Sequence, residues 1–273
     1  MPPLLPAARP AGRLASYWAL SRTPRYSLLF ALPLLVLYET LAALLGDLAG
    51  VGVRNGADVW LKTPFVALLG PRGPVAFGAL VVGGAALLVW RDVRQARDGV
   101  QGRVLVRMLA ESGALAVVCA LMVGWATAEV LRLLPAVAGL GAGLSAVGRE
   151  PLVMAVQSIE RVGAPGQLML ALGAGLYEEL LFRVVLVGAL GVLARRVFGL
   201  GAGAAGAFAV AGGALLFALA HHVGAYGDPL TLHAFTFRFV AGLFFSALYV
   251  LRGFGIAAWT HALYDVGVLF LAR

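Results

Sequence analysis

Residues 173–193 read GAGLYEELLFRVVLVGALGVL, an apolar run long enough for a membrane-crossing helix, with two adjacent carboxylates, Glu178 and Glu179, inside it. On insertion scales a charged acidic residue at bilayer depth costs about 2.5–3.5 kcal/mol, so two in succession are hard to account for as packing. Arg183 follows four residues after Glu179, and the later apolar runs carry His221, His222, His261 and Asp265. An acid pair, an arginine and histidines on separate membrane helices point to one buried polar site.

Composition sets the class around that site. The 273 residues are 61% hydrophobic and 12% charged, whereas soluble domains average about 25% charged residues. With a mean hydropathy of +0.92, the chain cannot hide its apolar surface in an aqueous core. The expectation is an all-α, polytopic bundle of about seven to eight membrane helices, an integral multi-pass protein whose partner is the lipid bilayer. The lone Cys119 lies in an apolar stretch, has no thiol to pair with, and reads as a lipid-side packing residue. The net charge of +8 comes from arginines at helix ends and in short connectors. That is the positive-inside pattern and argues against nucleic-acid binding. Richness in Ala, Gly and Arg fits a GC-rich bacterial source, and with it a bacterial plasma (inner) membrane.

Residues 1–25 form a basic tail with Arg9, Arg13, Arg22 and Arg25 and no acid. No removed signal peptide is expected, since the first apolar run starts after residue 20 without a small-residue cleavage site. Residues 26–165 hold the N-terminal membrane helices and connectors. Here the spans are Tyr26–Leu45, one ending near Trp90, and Gly113–Leu131, with a polar loop around Asp47–Lys62 and a basic connector from Arg91 to Arg107. A Gly-rich connector, Pro135–Gly166, with room for a short interfacial helix, leads into the core, 166–273. Its spans are Gln167–Leu193, Ala207–His222, Leu232–Leu251 and Ile256–Leu271. The tail, the Arg91–Arg107 connector, Arg195–Arg196 and Arg252 all fall on one side, which places the N-terminus in the cytoplasm.

On a helix Glu179 and Arg183 share a face, while Glu178 is turned about 100° away. Glu179 and Arg183 therefore neutralise one another, and Glu178 is left to face a cavity, where a carboxylate can take and return a proton. Phe217 stands four residues before His221, so its ring packs beside the imidazole, and His261 and Asp265 share a face in the same way. His222 reads as interfacial, and His233 is given no role. For His221 to reach mid-bilayer Glu178, the fifth span must start late, after LGAGAAG, and stop inside the protein near VGAYGDP.

In order, EELLFR (Glu178–Arg183), FALAH (Phe217–His221) and HALYD (His261–Asp265) match the signatures EExxxR, FxxxH and HxxxN/D. From Leu168 to the C-terminus the chain thus resembles the CAAX proteases and bacteriocin-processing family, CPBP or Abi, the type II CAAX prenyl endopeptidases. The resemblance implies an intramembrane endopeptidase acting on a membrane protein or peptide. Glu178 would activate the hydrolytic water, His221 and His261 would orient it, and Glu179 and Arg183 would maintain the site. Glu178, His221 and His261 would be the ligands of zinc or another divalent metal if one is used. The family commonly has Asn at the last motif position, an amide able to donate to an oxyanion; here it is Asp265, which donates only when protonated. The alternative reading is a catalytically silent scaffold or bacteriocin-immunity protein. A proton-coupled transporter is disfavoured because no inverted repeat is visible.

Overall fold

The computed structural model describes residues 16–49, 54–96, 99–133, 163–224 and 227–271. Most of the N-terminal tail and nearly all of the Gly-rich connector, with Arg149, Glu150, Glu160, Arg161 and the interfacial helix expected there, lie outside the described residues. Every regular element among those described is helical: α1 (Tyr17–Ser21), α2 (Pro24–Ala49), α3 (Gly56–Leu69), a 3₁₀ turn (Gly70–Arg72), α4 (Gly73–Gln95) and α5 (Gly102–Leu133). After the connector, α6 (Gly163–Gly173) runs without a break into a π-helical stretch (Ala174–Val187) and on into α7 (Gly188–Arg196). Then come α8 (Ala202–Ala220), α9 (Leu232–Arg252) and α10 (Phe254–Leu271).

Among the described residues, five stretches are long and apolar enough to cross a membrane: Pro24–Leu45, Gly56–Gln95, Gly102–Leu133, Ala202–Ala220 and Leu232–Arg252. The helices from α6 to α7 and α10 complete the bundle and carry its ionisable residues. Outward faces remain apolar, as on α5, where Val117, Leu121 and Trp125 are exposed. A hydrocarbon solvent tolerates such a face and water does not. The protein is an integral, multi-pass membrane protein.

Three boundaries differ from the sequence expectation. Of the polar loop expected around Asp47–Lys62, the stretch from Gly56 onward is the first half of α3: Asn55 caps it, its side-chain oxygen accepting from the Ala57 amide, and Asp58 and Lys62 are buried inside. Asp58 pairs with Arg54 and with Lys62, each four residues away, and Lys62 also reaches Glu39 of α2, a partner that local reading cannot see. The basic connector is mostly helical too, since α4 runs on to Gln95 and α5 begins at Gly102. And α8 starts at Ala202, within LGAGAAG rather than after it, because its small residues, Ala205 and Ala209 among them, pack on neighbouring helices.

α10 is the central element, shared by two apolar clusters. One holds Tyr26, Met108, Phe245 and Ile256; the other Leu34, Tyr38, Met169, Tyr177, Ala258 and Ala262. The turn into α10 passes through Gly253 at φ +84°, a backbone that L side chains rarely adopt. The π-helical stretch lies hard against α10 at Gly175, where an added Cβ would stand 2.5 Å from the Ala258 carbonyl oxygen and 2.6 Å from Ala262 Cβ. This close approach lets residues 178–183 reach across to α10. Gly175→Ala should therefore lower stability by about 1–3 kcal/mol through overpacking. Gly113→Ala, which meets nothing within 4 Å, should be neutral or gain up to about 1 kcal/mol. Thermal unfolding of the detergent-extracted chain, followed by tryptophan fluorescence, checks the contrast.

Candidate active site

The three motif segments meet where the π-helical stretch, the end of α8 and the middle of α10 pack together. The backbone bonding that defines the stretch closes at Gly188, whose N–H donates to the Arg183 carbonyl five residues back. π-Helical turns are rare and recur at functional sites.

Glu179 and Arg183 are sealed, each with 0% of its side chain exposed. Arg183 Nε lies 3.3 Å from Glu179 Oε2, an ion pair rather than a well-formed hydrogen bond. The guanidinium carbon lies 4.3 Å from the Phe217 ring centroid and 5.6 Å from that of Phe245. Aromatic faces thus supply what its terminal nitrogens, without hydrogen-bond partners among the described residues, lack. The other oxygen of Glu179, Oε1, is 2.7 Å from His261 Nδ1. An ionised carboxylate only accepts, so Nδ1 carries the proton. The imidazole stacks on Phe245 at 4.4 Å and 20°, and turns Nε2 toward Asp265 Oδ2 at 3.7 Å. Phe245, not singled out by the sequence, thus serves both the arginine and the histidine.

Glu178 faces elsewhere. Its Oε2 stands 3.7 Å from His221 Nε2, and the two side chains keep 14% and 17% of their surface accessible. His221 is the C-cap of α8; its Nδ1–H donates to the Phe217 carbonyl at 2.8 Å, and the Phe217 ring meets it edge-on at 4.4 Å. In the neutral ring Nε2 is then an acceptor pointing at Glu178. His261 comes within electrostatic reach of Glu178 but bonds to Glu179 instead. His222 donates from Nδ1 to the Asp228 carbonyl, steadying the turn after α8, and His233 is exposed.

Two contributors escape a reading of the sequence. Asn55 Nδ2 donates to Glu178 Oε1 at 3.0 Å, so Glu178 has a partner the sequence does not disclose. Arg238 of α9, paired with Asp228 at 2.8 Å, extends its field to Glu178, His221 and Asp265. A signal for Asn55 does exist: an Asn three residues before an acid marks a helix start. Nothing local ties it to Glu178. Among the described residues no three His, Cys, Asp or Glu side chains stand in an arrangement that could hold a metal ion. Of the ligands expected for a metal, Glu178 lies beside His221, while His261 bonds Glu179.

The fold and site define a helical membrane protein with paired acids and histidines buried together. Residues 162–267 match the family described as type II CAAX prenyl endopeptidase, Rce1-like, so the chain carries an Rce1-like domain of that CAAX-protease family. At family level this is a membrane-embedded endopeptidase acting on a protein or peptide. The comparisons with curated proteins and with solved structures returned no match.

Arg183→Ala should leave Glu179 charged, buried and half-paired, lowering stability by about 3–5 kcal/mol in thermal unfolding of the extracted chain. Arg183→Lys should recover only part, because an ammonium cannot lie flat between Phe217 and Phe245. Wild-type stability in Arg183→Ala would refute the pairing.

Proposed function

We propose that the protein hydrolyses peptide bonds of membrane-associated proteins or peptides with a water activated by Glu178. The observation that carries this reading is the 3.7 Å separation of Glu178 Oε2 and His221 Nε2, both partly accessible, beside the sealed Glu179–Arg183 pair. Two acceptors at that distance suit one water, which donates a hydrogen to each and presents its oxygen lone pair outward. Attack on the scissile carbonyl carbon then forms the new C–O bond as Glu178 Oε2 takes the proton. The resulting tetrahedral oxyanion collapses, the C–N bond breaks, and Glu178 returns the proton to the leaving nitrogen.

His261, tethered through Nδ1 to Glu179, positions the far side of the site. Asp265 either orients His261 as a charged acceptor or, protonated, donates to the oxyanion. Asp265→Asn distinguishes these roles: activity falls in the first case and is kept or raised in the second. The chain acts in a bacterial plasma membrane with its basic ends toward the cytoplasm, a placement supported by the arginine distribution.

Glu178→Gln keeps size and hydrogen bonding but removes the proton acceptor. Assayed as purified protein against a membrane-peptide library, it should lose at least about 10²-fold in hydrolysis and unfold at the wild-type temperature. Glu178→Gln with the full activity and biological phenotype of the wild type would favour the scaffold or immunity reading instead. Activity that disappears on chelation and returns with zinc would restore Glu178, His221 and His261 as ligands.

A further inference from the structure

We infer that Asn55, which lies outside residues 162–267, is a positioning residue for the reaction: its amide holds Oε1 of Glu178, so that Oε2 is the oxygen turned to His221 and left to take the proton from water. This rests on the reading of Glu178 as the base.

The direction of the amide is not free. Asn55 Oδ1 accepts from the Ala57 N–H at 2.9 Å, capping α3, which leaves Nδ2 to reach Glu178. A flip would forfeit the cap and set an oxygen against a carboxylate. The backbone is anchored as well. Asn55 N–H donates to the Tyr38 hydroxyl at 3.2 Å, which donates to Asp58 Oδ2 at 2.9 Å. Asp58 is fully buried and meets Arg54 at 2.8 Å and Lys62 at 2.6 Å. Lys62 also bonds Glu39, which accepts from the Tyr177 hydroxyl. Tyr177 directly precedes Glu178, so one network grips both the residue before the base and the donor that holds it.

The other groups facing Glu178 are charged or titratable: His221 from α8, Arg238 from α9, His261 and Asp265 from α10, and Arg183 within its own helix. Each pulls or pushes the whole carboxylate along its field. The Asn55 amide instead bonds one oxygen directionally and so selects which one faces the water. Misplacing a reacting group by about 1 Å costs on the order of 10²-fold in rate.

Asn55→Ser separates positioning from capping, since serine caps a helix as well as asparagine but its hydroxyl is too short to reach Glu178. For the full chain in proteoliposomes, with a cleaved peptide from the library, kcat should fall about 10- to 100-fold while KM and the melting temperature stay put. Asn55→Asp keeps the cap and sets an acceptor against Glu178, so its kcat should fall further. Wild-type kcat in Asn55→Ser, or a loss of kcat matched by a loss of melting temperature, would overturn the inference. An infrared carboxylate band assigned to Glu178 by subtraction of the Glu178→Gln spectrum gives a readout that needs no substrate. It should move in Asn55→Ser, and an unmoved band overturns the inference. A fully active Glu178→Gln overturns the base reading and this inference with it. An inactive Glu178→Gln beside a fully active Asn55→Ser overturns this inference alone.

Discussion

The rest of the site depends on one buried carboxylate. Glu179 has no accessible surface, and its two oxygens serve different helices: Oε2 meets Arg183 on its own helix, Oε1 meets His261 on α10. A lone carboxylate at that depth would be too costly to keep ionised, and so would a lone guanidinium. Together, wrapped by Phe217 and Phe245, they are tolerable. Because Glu179 answers both neighbours at once, the π-helical stretch cannot slide along α10 without breaking the Glu179–His261 bond. That constraint is what lets Glu178, the next residue back, be aimed with some accuracy.

A second constraint on Glu178 comes from a different part of the chain. The N-terminal helices carry a balanced cluster, Glu39 and Asp58 against Arg54 and Lys62, bound to Tyr38 and Tyr177. Opposite charges in equal number keep such a cluster tolerable inside a membrane bundle. Its position between α2, α3 and the π-helical stretch ties the Rce1-like domain to helices that lie outside residues 162–267. Near the N-terminal end a separate clamp also pairs a buried arginine with a carboxylate and an aromatic face. There Arg252 grips Glu111 through two bonds of 2.6 and 2.7 Å and lies over Trp18. Burial first, then the Glu111 carboxylate, push the Tyr17 hydroxyl up to about 12, so it stays a donor to Glu111.

Sealed and accessible charges divide the labour within a few ångströms. Glu179 and Arg183 carry no exposed surface and serve structure; Glu178, His221 and Asp265 keep some, the last with 29% of its side chain accessible. The acceptor character of His221 Nε2 follows from a single backbone bond to Phe217. That bond exists because α8 ends at Ala220, leaving the carbonyls of its last turn in need of donors.

Local spacing determined a good deal. The hydrophobic runs set an all-helical membrane class, and the i, i+4 pairs Glu179–Arg183, Phe217–His221 and His261–Asp265 all meet in the structure, because a helix repeats over about four residues. The three motifs in order were enough to name the family. α3 reads as loop from the sequence, although Asn55 and Asp58 spell a helix start, because charges in a membrane chain look like connector until their partners are known. Some of those partners are local, Arg54 and Lys62 for Asp58, and others are tertiary, Glu39 for Lys62 and Tyr38 for Asp58. Glu178 meets Asn55 across 123 residues of chain and Glu179 meets His261 across 82. Which histidine each glutamate takes, the service of Phe245 to both Arg183 and His261, and the π-helical winding of 174–187 were decided only by packing: side chains that far apart in sequence have no fixed relation until the helices between them are stacked.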